Sequence, residues 1–368
     1  MATRLEVPVE RVDVSVYTIP TDEPESDGTF EWDSTTLVVV QLRAAGKTGL
    51  GYTYGPKAVA VLVEDLLAPL LTGSDPVIFT GTDPVQAWTE MGAALRNAGR
   101  PGVGSMAIAA VDIALWDLRA RLLDLSLVDA LDAQHDVVPL YGSGGFTSYT
   151  NERLAEQLGG WVDEGFPRVK MKIGRDPGRD PSRLDAAREA IGDAELFVDA
   201  NGAYKGRQAF EWADRLADWD VRWLEEPVSS DDPDGLSAVR KRTPIEVAAG
   251  EYIYLLADAR AMLAVEAVDC LQADVTRCGG ITGFLQVAAL AEQAGLDVSA
   301  HCAPQVSAHA CLAIPNLRHL EWFHDHVRVE RTLFDGVLEP ENGALRPDRS
   351  RPGHGLELKQ VEAQRHAA

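Results

Sequence analysis

The sequence predicts an α/β protein: a (β/α)8-type, TIM-like barrel preceded by an α+β capping domain that the C-terminal tail completes. Two observations lead there. From residue 136 onward, eight short β-rich runs recur with helix-like segments between most of them, the rhythm of βα units that build a parallel sheet. In the first 125 residues the order differs, with strands first and helices after, as in a separate α+β domain.

Taken in order, RVDVSVYTIP (11–20) and TTLVVVQLRAAGKTGLGYTYG (35–55) read as antiparallel strands. Three helical stretches follow: VAVLVEDLLAPLL, PVQAWTEMGAALRNAG and SMAIAAVDIALWDLRARLL. The barrel strands are VVPLY (137–141), RVKMKI (168–173), LFVDAN (196–201), RWLEEP (222–227), EVAAGE (246–251), CLQADV (270–275), LDVSAH (296–301) and HLEWF (319–323). Segments such as SRLDAAREAIG (182–192) and ITGFLQVAALAEQAG (281–295) supply the helices between them. Eight strands within 136–325 make a compact barrel, because such folds usually take somewhat over ~200 residues. The expected organisation is therefore 1–125 cap, 136–325 barrel, and a 326–368 tail that packs back on the cap. GSGG at 142–145 lacks the full G-x-G-x-x-G pattern of a dinucleotide loop.

Composition narrows the function. Among 368 residues the net charge is −23, which makes nucleic acid and acidic membrane surfaces poor partners. No run approaches the ~18 apolar residues of a membrane span, and the N-terminus lacks the basic-then-apolar layout of a secretory signal. Cys270, Cys278, Cys302 and Cys311 form no CxxC pair. These features set the expectation of a cytoplasmic protein with reduced thiols.

The ionisable residues of the barrel fall at the C-terminal ends of its strands: Asp199, Glu225, Glu251, Asp274, His301 and Glu321. Barrel enzymes carry their chemistry at that face. Asp199, Glu225 and Glu251 are spaced by 26 residues each time, one carboxylate per consecutive βα unit. Convergent carboxylates repel unless they share a cation, and oxygen-only ligands favour a hard ion such as Mg2+. Lys170 and Lys172 share strand parity, so both point to one side. If that side is the barrel interior, each ammonium should lower the other's pKa, as should burial. A lysine prepared this way suits a general base, or equally a Schiff-base nucleophile. Asp274 and His301, one βα unit apart, form a candidate carboxylate–imidazole base. Glu321 is placed to donate a proton or hydrogen bond to a substrate carboxylate, and Asn201 to touch substrate. Trp223 and Trp322 are assigned opposite parity to the neighbouring acids and read as packing residues. HCAPQVSAH (301–309) and HDH (324–326) lack the spacing of a standard zinc site.

KMK at 170–172, VDAN at 198–201, LEEP at 224–227, GE at 250–251, QADVTRCGG at 272–280, AH at 300–301 and Glu321 together resemble the enolase superfamily. More narrowly they resemble its mandelate racemase subgroup, over essentially the whole chain. The resemblance implies Mg2+ on Asp199, Glu225 and Glu251, and Lys172 as one base with Lys170 modulating it. It further implies the Asp274–His301 dyad as the base on the other face, and Glu321 assisting at the substrate carboxylate. The muconate-lactonizing subgroup has a lysine after the sixth strand where this chain has Asp274. The implied chemistry is removal of the proton α to a carboxylate through a metal-stabilised enediolate.

Within that subgroup the expected reaction is dehydration of a sugar acid. The alternatives are racemisation or epimerisation of a 2-hydroxy acid and cycloisomerisation of a sugar-acid lactone. The expected partners are a small-molecule carboxylate and further copies of the chain in a homo-oligomer. The segment TDEPESDGTFEWDS (21–34) carries six acids and no basic residue. In the family an equivalent loop closes over the barrel mouth, and its charge suggests a monoacid or lactone substrate.

Overall fold

The structure, a computed structural model, describes residues 7–72 and 83–368. Residues 1–6 and 73–82 of the expected cap lie outside the described residues. The chain opens with an antiparallel meander of β1 (Arg11–Ser26), β2 (Glu31–Ala44) and β3 (Lys47–Tyr54). β2 explains the apolar run LVVV (37–40). Successive side chains leave opposite faces of a strand, and both faces of β2 are covered. Val38, Val40 and Leu42 join one core with the buried face of the helix Val103–Leu122. Leu37 and Val39 join the core that continues into the barrel.

The barrel strands are β4 (Val138–Gly144), β5 (Arg168–Lys172), β6 (Glu195–Asp199), β7 (Val221–Glu225), β8 (Glu246–Ala249), β9 (Cys270–Ala273), β10 (Asp297–Ala300) and β11 (Leu317–Phe323). They pair in parallel in sequence order, and β11 returns to β4 through Glu321↔Tyr141 and its neighbours, so the sheet closes. All eight sequence runs became strands. The segment GSGG is largely strand rather than phosphate loop, since β4 extends through Gly144.

The period-two alternation stacks the barrel interior in layers. Tyr141, Phe197, Trp223 and His319 pack ring on ring across the axis, with centroids 4.8–5.6 Å apart. Two residues further along the same strands stand Ser143, Asp199, Glu225 and Glu321. An aromatic floor therefore lies directly beneath a charged layer, and both are buried.

The tail makes three kinds of contact. Ala344–Leu345 adds antiparallel to β4 at Pro139 and Val138, and Phe334–Asp335 pairs with Glu357–Leu358. Onto the cap, His354 contacts Leu50 and Asp117, while Thr18 donates to His366 and Ala368 donates to Val16.

Cap and barrel also meet at Glu330, on the helix His324–Leu333, which accepts a hydrogen bond from the Tyr52 hydroxyl. Burial pushes the Glu330 carboxyl up to about 8, against the opposing pull of the Tyr52 bond. The folded state thus holds a proton there that the unfolded chain releases near its ordinary value of 4.5. Where the folded state binds more protons, stability falls as pH rises. Glu330→Gln keeps a carbonyl acceptor for Tyr52 and removes that proton. Thermal unfolding of the wild type should lose several degrees between about pH 6 and about pH 9, and the loss should be smaller in E330Q.

Candidate active site

β5 delivers Lys170 and Lys172 into the interior, where both are buried. Lys170 Nζ lies 2.5 Å from Glu225 Oε1, 2.8 Å from Glu321 Oε1 and 3.8 Å from Asp199 Oδ2. Lys172 Nζ lies 2.5 Å from Asp199 Oδ2. The expected lowering of the lysine pKa values is overturned. Burial presses both down, and Lys170 also presses Lys172 down. Glu225, Glu321 and Asp199 outweigh burial at Lys170, and Asp199 leads the same reversal at Lys172, so both are held above the ordinary range. In this arrangement neither lysine is the neutral amine that a Schiff-base nucleophile requires.

Asp199 and Glu225 are the last residues of β6 and β7, and Glu251 follows β8 by two. The turn into Glu251 needs Gly250, at φ +133°, because a Cβ there would stand 2.2 Å from the Gln272 carbonyl oxygen. One carboxylate oxygen from each of Asp199, Glu225 and Glu251 lies within 4.8 Å of the other two. Burial, then Asp199, push Glu225 up to about 8 despite Lys170. Its neighbour Glu226, buried at φ +40°, is also pushed well up by burial, Glu251 and Asp199. Negative charge is thus in excess even with both lysines present. Glu251 Oε2 is buried without a hydrogen-bond partner. An oxygen-only cluster with surplus charge and an orphaned oxygen fits a hard divalent cation.

Across the mouth, Asp274 and His301 directly follow β9 and β10. His301 Nδ1 is 2.7 Å from Asp274 Oδ2, while Asp274 Oδ1 accepts from the amide and hydroxyl of Thr276, each at 2.7 Å. This leaves His301 Nε2 facing Glu251 Oε2 at 3.3 Å and Glu321 Oε2 at 3.5 Å. Burial opposes an imidazolium, but Glu251, Glu321 and Asp274 outweigh it and raise the His301 pKa. Arg277 joins the two groups, 3.0 Å from Glu251 and 3.6 Å from Asp274.

Glu321 differs from expectation. Burial disfavours its charge, but Lys170, His301 and Lys172 hold its carboxyl well below the usual range. It stands as an acceptor, from Ser143 Oγ at 2.6 Å and the Cys302 amide at 3.2 Å, and not as a proton donor.

The segment between β1 and β2 sits on the barrel mouth. A Cβ on Gly28 would lie 2.2 Å from the Ala200 carbonyl oxygen and 2.8 Å from that of Ile173, so only glycine allows this seat. Thr29 reaches the Asn201 carbonyl at 3.3 Å. The acids here are not an unopposed negative wall. Glu23 pairs with Arg153 at 3.0 Å, Glu31 with Arg175 at 2.6 Å, and Asp22 with His324 at 3.0 Å. Glu25 is buried against Trp32, and burial, then Asp325, raise it to about 9. The charge argument for a monoacid substrate loses its basis, because the basic partners come from barrel segments distant in sequence. Asn201, at φ +46°, donates its amide to Asp199 Oδ1 at 2.8 Å. With Thr29, Glu226, Ser230, Tyr252 and Tyr254 it lines a cleft of 750 Å³.

Sequence reasoning missed several neighbours. Trp223 precedes Glu225 by two residues and so shares its parity; it donates from Nε1 to Glu225 Oε2 at 2.9 Å, whereas Trp322 packs in the core outside the barrel axis. Ser143 shares parity with Tyr141 at a strand end, a readable signal. Thr276 was legible as the partner of an Asx turn in DVT. Glu226, Arg277 and Cys302 had no such signal. His309 and His326, in the two segments weighed for zinc, are buried apart from the carboxylate triad, the first beside His354 and the second stacked on Tyr54.

Fold and site together define a barrel enzyme with a carboxylate cation site between two candidate bases, roofed by a separate domain. Residues 14–131 match the mandelate racemase/muconate lactonizing enzyme N-terminal domain, and residues 153–362 match the enolase C-terminal domain-like family. The chain belongs to the mandelate racemase/muconate lactonizing enzyme family of the enolase superfamily. It is 33% identical to a 3,6-anhydro-alpha-L-galactonate cycloisomerase from Streptomyces coelicolor, covering 95% of this chain and 97% of that one. It is 28% identical to the L-talarate/galactarate dehydratase of Salmonella typhimurium, over 90% and 86% of the two chains. The structure of that dehydratase liganded with Mg and L-lyxarohydroxamate superposes with a TM-score of 0.90, at 27% identity over 100% and 96%. A mandelate racemase/muconate lactonizing enzyme-like protein from Rubrobacter xylanophilus superposes with a TM-score of 0.94, at 58% identity over 98% and 100%.

The seat of Gly28 gives a test that needs no substrate. Gly28→Val should lift the segment off the mouth and speed proteolytic cleavage within residues 21–34 by about tenfold or more, with the barrel's thermal midpoint little changed.

Proposed function

We propose that the protein removes the proton α to the carboxylate of a sugar acid bound beside Mg2+, and that the reaction is dehydration. The observation that carries this reading is the arrangement of two bases around one carboxylate triad. Lys172 touches Asp199 on one side at 2.5 Å, and His301 Nε2 touches Glu251 on the other at 3.3 Å. Asp199, Glu225 and Glu251 would hold the ion. When bound, it would supply positive charge for the substrate carboxylate and for the charge that develops as the α proton leaves; of the three acids, Asp199 and Glu225 also pair with the lysines.

The remaining work belongs to the chain. Asp274 fixes the His301 ring with Nε2 toward the site and raises its basicity. Lys172, held as an ammonium with Lys170 beside it, gives a proton from the opposite side and takes one back. Lys170 and Ser143 hold Glu321 still, so that it orients the substrate. A base on each side allows one to take the α proton while the other, protonated, assists a departing β-hydroxyl. Asn201 and the cleft beside it receive the substrate's hydroxyl-bearing end. The named dehydratase among the relatives supports dehydration. The 33% identity over 95% of the chain to a cycloisomerase favours cycloisomerisation as the second reading.

A screen of sugar acids and lactones in D2O with Mg2+ separates these outcomes. A 2-keto-3-deoxy product is expected. Exchange of the α proton without water loss would overturn dehydration in favour of racemase-type chemistry. Lys172→Ala and His301→Asn should each lower turnover by about 10²–10⁴-fold, and the central assignment fails if both retain full activity. Chelation should abolish turnover and added Mg2+ restore it.

A further inference from the structure

We infer that His301, Cys302 and Glu321 form a second metal site, for a thiophilic divalent cation of the zinc class, bordering the carboxylate triad but separate from it. Three different ligand atoms converge there. Cys302 Sγ is 3.3 Å from His301 Nε2 and 3.3 Å from Glu321 Oε2, and those two atoms are 3.5 Å apart. Ligands held tetrahedrally at ~2.0–2.3 Å from zinc stand roughly 3.3–3.7 Å from one another. The triangle therefore already has the size of one face of such a site.

Each ligand is supported as metal ligands are. The other His301 nitrogen is bonded to Asp274, the carboxylate–histidine arrangement that orients a metal-bound imidazole. The other Glu321 oxygen is held by Ser143 at 2.6 Å and Lys170 at 2.8 Å, which leaves Oε2 turned toward Cys302 and His301. Cys302 sits at φ +50° and is followed by Ala303 at φ +44°, a backbone course that L-residues rarely take. Its amide donates to Glu321 Oε2 at 3.2 Å and its carbonyl accepts from Ser307 at 2.9 Å, which fixes Sγ beside the imidazole. Phe146, Tyr149 and Phe323 pack over the thiol. Glu251 Oε2, 3.3 Å from His301 Nε2, marks the border with the first site.

Ligand chemistry separates the two positions. Three carboxylates suit Mg2+, whereas a thiolate, an imidazole and one carboxylate select zinc or cadmium. On binding, the metal replaces the Cys302 thiol proton, which leaves to solvent. The consequence rests on the proposed function: once His301 Nε2 is bound to metal, its lone pair no longer accepts a proton, and turnover stops although Mg2+ is saturating.

The test uses the Mg2+-loaded protein titrated with Cd2+ and then Zn2+. Expected are a thiolate-to-cadmium charge-transfer band, one equivalent bound, and its displacement by Zn2+ but not by excess Mg2+. Cys302→Ser should lose the band and weaken zinc binding by about 100-fold or more. Glu321→Gln, which keeps the thiol, should retain the band but bind more weakly. Absence of the band, unchanged affinity in C302S, or release of Cd2+ by Mg2+ would overturn the site. If the band and its mutational loss appear but zinc leaves α-proton exchange untouched, the metal site stands and His301 is not the base.

Discussion

The constraint on which the rest depends is the burial of two lysines among more carboxylates than they can neutralise. An ammonium or carboxylate removed from water is costly unless paired, and here the pairs are shared. Lys170 bridges Glu225 and Glu321 on two strands that do not pair with β5, while Lys172 ties its own strand to Asp199. These contacts bind the mouth together from inside. They also leave negative charge uncompensated, as the raised Glu225 shows, so the same lattice that organises the mouth attracts a cation to it.

The aromatic floor makes that lattice possible. Tyr141, Phe197, Trp223 and His319 fill the barrel one layer below, and they exclude water from the lower side of every charged group. Lys170 lies 5.2 Å from the Tyr141 ring centre, where the ring face favours a cation. In a low-dielectric surround each ion pair is stronger and each unpaired atom more costly. Side chains placed here are accordingly fixed in position by electrostatics as well as by packing.

Much of this was legible in the sequence because a barrel repeats. The 26-residue spacing of Asp199, Glu225 and Glu251 reports register directly, and strand parity placed both lysines inside. What escaped depends on distances between segments remote in the chain. The sign of the lysine shifts is set by Glu225 and Glu321, which lie in other βα units. The acids of 21–34 found Arg153, Arg175 and His324 on remote barrel segments, which no local pattern could pair. Trp223 was a simpler failure, since its shared parity with Glu225 could be counted from the sequence. Cys302 was invisible as a neighbour of His301 because adjacent residues on a strand point apart; only the left-handed turn after β10 brings sulfur and imidazole to one side.

The pairing of residues 366 and 368 with Thr18 and Val16 has a consequence for how the chain matures. The cap's first strand leaves the ribosome early, whereas its partners from the tail emerge some tens of seconds later at ~5–20 residues per second. The edge of β1 thus stays open while the barrel between these segments is being made. The alternation of Val12, Val14 and Val16 along that edge makes it a hazard for association between nascent chains, one that ends only when residues 366–368 close over it.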